Sequence, residues 1–268
     1  MLRGYQFGAV VPFVLLHVAC LLVFFIPFRW EYAALLVATY SIRVFGVSAG
    51  YHRYFSHRSY KLNRTFQFLM AFLAQTSAQK GILWWAAHHR YHHRHSDNDK
   101  DIHSPVRDGF WWSHIGWILS NDFDSYDDSL VRDFENHREL RWLNRYHWLP
   151  SLLLAAAVFA AFGFNAFIWG FVLSTVLLFH CTFSINSLAH LWGNRPYETG
   201  DNSRNNFLLA LITFGEGWHN NHHQFMYSCR QGLRWWEIDV TYYVLKLLSL
   251  FGIATDLRGA NEWRGSQL

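Results

Sequence analysis

Between Arg145 and Arg195 the chain runs through 49 residues, 146–194, without a single Asp, Glu, Lys or Arg. A stretch so long and so free of charge cannot be a solvated loop or an ordinary half-buried helix. At roughly 20 residues per bilayer crossing it holds two helices, with a turn expected at Gly163-Phe164-Asn165. Residues 7–28 form a second charge-free run of 22 residues, longer than the roughly 7–15-residue apolar core of a cleaved signal peptide and long enough to cross a bilayer. After a tight Arg29-Trp30-Glu31 link, residues 32–51 are interrupted only by Arg43 and return the chain to its starting side. The expected fold is therefore all-α and integral to the membrane: four transmembrane helices at about 7–28, 32–51, 148–163 and 166–190, in a single domain of residues 1–268. Residues 52–147 and 191–268 then share one face with both termini and form a helical cap.

The charges agree with that topology. Of 23 Lys and Arg, 13 lie in residues 52–147 and 7 follow His190, so the cap and both termini are expected on the cytoplasmic side of a cytoplasmic membrane. Phe66–Ala78 is apolar but too short to span, and Val240–Ile253 is interrupted by Lys246, so both are expected to lie against the membrane or within the cap. A net charge of +4, with both signs interspersed, gives no footprint for nucleic acid. Cys20, Cys181 and Cys229 are widely separated and form no CxxC, which excludes a disulfide framework and a thiolate metal site. There is no G-x-G-x-x-G or Walker loop, so reducing power must come from outside the chain.

Histidine is the residue out of proportion, 17 in 268. His52 and His57 stand in H-R-Y-F-S-H, directly after the second span. His89, His92 and His93 in H-H-R-Y-H-H repeat the i, i+3, i+4 spacing of His219, His222 and His223 in H-N-N-H-H. On a helix that spacing keeps three imidazoles within about 100° of arc, so each of these boxes can aim at one point. His52 and His57, five apart, cannot do so from a regular helix; they need a helix break or two different metals. N-S-L-A-H adds Asn186 and His190 where the last span leaves the membrane. Nine imidazoles exceed what one ion takes, so two metals are implied, and imidazole alone leaves Zn, Cu, Fe and Ni open. A lone His is more often a hydrogen-bonded core or surface residue, but three boxes on one membrane face are not explained that way. Among the others, His17 and His180 lie inside spans, where a haem held by two His would have the same appearance. His88, His95 and His103 are candidates to support the metal ligands, and His114, His137 and His147 are read as capping or surface groups.

Taken in order, A-G-Y-H-R-Y-F-S-H-R-S-Y, H-R-Y-H-H, S-P-V-R-D-G-F-W-W-S-H-I-G-W, N-S-L-A-H-L-W-G-N-R-P-Y and G-E-G-W-H-N-N-H-H resemble the acyl-CoA (delta-9 type) fatty acid desaturases, membrane di-iron enzymes, over nearly the whole chain. The resemblance implies a four-helix membrane stem whose cytosolic cap holds two iron ions (Fe2+). The implied ligands are His52, His57, His89, His92, His93, His190, His219, His222 and His223, with Asn186 reaching one iron through water. It also implies the reaction: O2 and two electrons remove two hydrogens from adjacent methylenes of a saturated long-chain acyl thioester, acyl-CoA first, or of a lipid-linked chain, leaving a cis double bond. The electrons are expected from a separate donor, a ferredoxin or small cytochrome with its reductase, and the short tail suggests a bacterial enzyme. Where animal members carry an Arg-Asp pair before the second box and basic residues after S-H-x-G-W, this chain has Ala87-His88 and Asn121-Asp122, which removes those contacts to CoA. Counting back from His52, Ser48, Val44 and Tyr40 share its helical face and are expected to line the acyl channel, with Tyr40 about 18 Å below at its closed end. The nearest rival reading is a membrane di-iron fatty acid or alkane hydroxylase, whose boxes are spaced differently. The distant one is a divalent-metal transporter, which would need polar ligands at mid-membrane, where these spans have no Asp or Glu.

Overall fold

A computed structural model describes residues 4–260. Helix α1 (Phe7–Cys20) and the 3-10 turn Leu21–Phe25 make one apolar rod of 19 residues. Phe7, Leu15, Val18, Phe24 and Phe25 all stand exposed along it, a surface that hydrocarbon satisfies and water does not. Helix α2 (Trp30–Phe45) continues into a π-helical segment, Gly46–Ser56, for 27 residues in all. The third long run, Leu149–His190, comprises α6 (Leu149–Phe167), a π-helical stretch Ile168–Leu173, α7 (Ser174–Ser187) and a last 3-10 turn, Leu188–His190. These three runs are long and apolar enough to cross a membrane. The third is broken at Gly163, where φ 77° and ψ −179° fall in a region essentially reserved for glycine. The turn expected at 163–165 is thus present as a break in the helix.

Arg43, the one charge between Tyr32 and Tyr51 in the second run, is buried. Its Nη1 donates to Thr175 Oγ1 at 2.7 Å, Ser174 Oγ accepts from Nη2, and the guanidinium lies 5.5 Å from the Phe171 ring centre, so it ties α2 to α7. Between the long helices the cap folds around the π-helical end of α2. Helices α3 (Arg64–Gln75), α4 (Ile82–His95) and α5 (Arg138–Arg145) pack on it through Ala49, Phe55, Ala71, Ala74, Leu83, Leu140 and Leu143. Close approach is the reason for glycine at position 46, where a Cβ would sit 3.1 Å from the Leu73–Ala74 backbone. Two residue-long strands, β1 (Lys61–Leu62) and β2 (Ala254–Thr255), pair antiparallel and clip the end of the chain beside α3. Helices α8 (Phe207–Ile212), α9 (His219–Gln224) and α10 (Val240–Leu250) complete the cap. On α10, Thr241 and Leu245 are buried while Tyr243, Leu247 and Leu250 are exposed, the amphipathic pattern expected there.

Candidate metal centre

His52 and His57 meet in one histidine group without a helix break between them, which corrects the expectation from their spacing. In the π-helical segment each backbone N–H reaches back five residues, as in His57 N–H to His52 O at 3.2 Å, so residues five apart become neighbours on one face. The two rings lie 4.8 Å apart, centre to centre. The helix is wound to suit the H-x-x-x-x-H spacing.

All nine box and span-exit histidines fall into two adjoining groups. His52, His57, His89, His93 and His222 form one; His92, His190, His219 and His223 form the other, the ring nitrogens within each lying within 4.8 Å of one another. In the first group Nε2 faces Nε2 at 3.0 Å for His52–His222, 2.8 Å for His57–His89, 3.0 Å for His89–His93 and 2.9 Å for His93–His222. In the second, His219 Nε2 lies 3.0 Å from that of His190 and 3.1 Å from that of His223. Ligands about 2.1 Å from a metal stand about 3.0 Å apart when adjacent and about 4.2 Å when opposite, so both groups have the dimensions of a coordination shell. Helices α4 and α9 each feed both groups, which is why the two lie side by side.

Four carboxylates not foreseen from the sequence set the tautomers. Nδ1–H is donated to Asp101 Oδ1 by His92 (3.0 Å), to Asp97 Oδ2 by His190 (2.9 Å) and to Asp201 Oδ2 by His223 (2.6 Å), while Glu216 accepts from His52. With Nδ1 protonated, Nε2 of His52, His92, His190 and His223 carries a lone pair aimed into its group, where a cation would be its partner. Burial holds His57, His89, His93, His219 and His222 well below the ordinary histidine pKa, and His223 at about 4, so these six are neutral at pH 7; at His92 burial is outweighed by the Asp101 carboxylate and the pKa is raised. Burial opposes ionisation of the carboxylates, but the hydrogen bonds to His190, His92 and His223 hold Asp97, Asp101 and Asp201 far below the usual range. Glu216 is likewise brought down to about 2 by His52 and Arg53. Arg53, buried in the first box, donates to Glu216 (3.0 Å) and Asp239 (2.9 Å) from Nη2. One clue was available: Asp97 and Asp101 follow the second box within eight residues, and a ligating imidazole needs an acceptor for its other N–H.

The remaining expected residues divide. His103 stacks on His92 with ring centres 4.3 Å apart, in a third overlapping group of His92, Asp101 and His103, and burial lowers its pKa to about 3. His88 donates to the Trp84 carbonyl (2.9 Å), and His95 packs on Tyr91 away from both groups. His17 and His180 bring their Nε2 atoms to 3.1 Å, hydrogen-bond distance. An iron held between them would need about 4 Å, so this pair does not fit the haem reading. Asn186 is outside both histidine groups but lines a narrow cavity of about 30 Å³ beside them with His52, His89, His219, Val44, Ser48 and Ile185. Val44 and Ser48, expected on the His52 face of the helix, both line this cavity. Tyr40 is one turn lower, its hydroxyl donating to the Ile212 carbonyl at 2.5 Å, next to cavity-lining Thr213.

Two buried histidine groups that could each hold a metal, on helices long and apolar enough to cross a membrane, point to a membrane metalloprotein, and comparison with known proteins gives the family. The fatty acid desaturase family model matches residues 28–248. An acyl-CoA C20 Delta5-desaturase of Anemone leveillei is 42% identical over 92% of this chain and 80% of its own. A palmitoyl-monogalactosyldiacylglycerol delta-7 desaturase of Arabidopsis thaliana is 37% identical over 97% and 71%. An sn-1 stearoyl-lipid 9-desaturase of Anabaena variabilis is 35% identical over 93% of each. The chain belongs to the fatty acid desaturase family. It is an oxidoreductase of lipid metabolism that desaturates acyl chains with iron and O2, in a membrane environment.

Proposed function

We propose that the enzyme inserts a cis double bond nine carbons from the carboxyl end of saturated long-chain acyl groups carried on membrane lipid, at a centre of two irons on the cytoplasmic side of four transmembrane helices. The observation that carries it is the sorting of nine histidines into a group of five and a group of four. The first group would hold one iron and the second the other, with Asn186 acting on one of them through water. When bound, the irons supply, with O2 and two electrons, the oxidising power that an unactivated C–H bond requires. The chain's own residues do the rest. Asp97, Asp101, Asp201 and Glu216 fix the ligand tautomers, and Val44, Val47, Thr182 and Ile185 form an apolar wall that excludes water from the methylenes to be oxidised. At about 30 Å³ the cavity is one water's share of liquid volume, so the acyl chain enters by displacing its walls, with Tyr40 at the far end. The break at Gly163 supports four spans, since an unbroken 42-residue helix would run about 63 Å, twice the hydrocarbon core.

The carrier follows from the cleft on the other side of α4. It holds about 440 Å³ and is lined by Asp101, Asp122 and Asp127 against one Lys100, with His88. Three carboxylates repel the phosphates of CoA, and two of the named relatives act on lipid-linked chains. The same saturated chain should be offered to the reconstituted enzyme as phospholipid, acyl carrier protein thioester and CoA thioester, with the double bond located by mass spectrometry and iron measured per chain. Turnover of the phospholipid with two irons bound is expected. Strict dependence on the CoA 3'-phosphate would overturn the carrier reading, and one tightly held zinc the metal reading.

A further inference from the structure

A second, wider cavity opens on the opposite side of the histidine groups from Val44 and Ser48. It is an open cleft of about 820 Å³ on the cap, lined by His57, His93, Arg58, Arg90, Arg94, Leu130, Met226, Tyr227 and Arg258. Two imidazoles of the five-histidine group thus form part of its wall, and His93 is half-buried. The four arginines are not equivalent. Arg90 is committed to structure: it donates to both oxygens of Asp133 (2.8 and 2.9 Å) and to the carbonyls of Phe55, Ser56 and Leu130. Arg58 shares Asp133. Arg94 and Arg258 are exposed, and their side chains have no hydrogen-bond partner among the described residues. Asp133 lies between Arg58 and Arg90, and Asp127 and Asp256 are within electrostatic reach of Arg94 and Arg258, so four guanidiniums outnumber three carboxylates and the rim keeps a positive excess around an apolar floor of Leu130 and Met226.

We propose that this cleft is the docking site for a small, acidic one-electron carrier protein that reduces the metal centre through His57 and His93. The inference rests on the di-iron desaturase reading and names the partner of that site. Each turnover takes one O2 to two waters, using two hydrogens from the acyl chain, two protons from solvent and two electrons from two reduced carriers in succession. Electron transfer weakens steeply with distance, so a carrier must approach a ligand ring. Here ligand rings reach an open surface of the cap. Positive rims steer acidic partners into brief encounters of small area, the kind that repeated single-electron delivery needs. An anionic acyl carrier does not suit the same cleft. Its chain would have to thread between ring nitrogens 2.8 to 3.0 Å apart to reach the apolar cavity beyond them.

The test uses the full chain in lipid nanodiscs, with a reduced acidic [2Fe–2S] ferredoxin as donor and phospholipid as substrate. Arg94→Glu together with Arg258→Glu should raise the apparent KM for ferredoxin about tenfold or more, with kcat at saturating donor and iron content little changed, and should flatten the salt dependence of the rate. Arg64→Glu, the same charge reversal beside Glu139 and outside the cleft, should leave that KM within about twofold. If the double variant fails to hold iron, Arg94→Gln with Arg258→Gln gives the same reading at smaller amplitude. An unchanged ferredoxin KM and salt dependence overturns the proposal, as does free CoA competing with ferredoxin. Absence of iron or of desaturation in the parent enzyme would instead remove the reading beneath it.

Discussion

Replacing Asp201 by Asn keeps size and shape but exchanges one carboxylate oxygen for an NH2 donor and removes one negative charge. The Oδ1 of Asp201 already accepts from Ser203 N–H (2.9 Å), Ser203 Oγ (2.6 Å) and Thr199 Oγ1 (2.7 Å), while Oδ2 accepts from His223 Nδ1 (2.6 Å). In the Asn variant the amide oxygen stays with those three donors and the NH2 is left facing His223. The ring must then accept at Nδ1 and carry its proton on Nε2, the atom that lies 3.1 Å from His219 Nε2 and is turned toward the metal position. Loss of an outer carboxylate costs about 10- to 100-fold in metal affinity. A forced wrong tautomer should put this one near the upper limit, about 2.7 kcal/mol. Iron per chain, measured by plasma mass spectrometry across a range of free iron on protein that elutes as a single species, should fall from two to one before any loss in the five-histidine group, and desaturation should be lost with it. A variant that keeps two irons at parental affinity and full activity would refute the idea that Asp201 sets the tautomer of a ligand.

Three further outcomes follow from the same geometry. His93→Ala should abolish desaturation, whereas His95→Ala, which only removes packing on Tyr91, should leave activity measurable by product chromatography. Tyr40→Ala should lengthen the preferred chain by a few carbons with the double bond at the same distance from the carboxyl end; an unchanged profile at lower yield would place Tyr40 in helix packing instead. Asp97, Asp101, Asp133 and Asp201 all titrate below their unfolded value of about 3.9. Their contribution is therefore complete above that value and lost as pH falls through it toward the folded values. The unfolding temperature of metal-free protein should be flat from about pH 5 to 7 and drop steeply below about pH 4, and a flat profile to pH 3 would contradict the pairing.

What the sequence made legible is what depends on period and composition. Charge-free length pointed to the long helices, and the i, i+3, i+4 spacing in α4 and α9 pointed to six members of the two histidine groups, because a regular helix repeats regardless of its surroundings. His52 and His57 show where that logic stops. Their convergence depends on a change of helical winding that no propensity encodes and that packing of Gly46 and Gly50 against α3 accommodates. The outer carboxylates were missed for a different reason. Asp201 and Glu216 belong to loops that tertiary folding carries to their partners, 22 residues away in the chain for Asp201 and His223 and 164 for Glu216 and His52. A single sequence shows a need for an acceptor but not which acid meets it.

Placing the carboxylates one layer out has a consequence for the chemistry. Asp97, Asp101, Asp201, Glu216 and Asp239 carry five negative charges around the two histidine groups, and Arg53, bridging Glu216 and Asp239, returns one. The four that remain would balance the charge of two Fe2+ ions in the proposed centre, whose ligands would all be imidazoles. Attraction to the ions is retained, because unit charges a few Å apart in a dry interior still interact by several kcal/mol. What is avoided is the electron donation that a directly bound carboxylate would bring. A centre ligated only by neutral imidazole stays electron-poor, and attack on an unactivated methylene requires that. In the proposed centre, four charges moved outward by the width of one imidazole ring would meet both demands, attracting the metals without adding electron density to them.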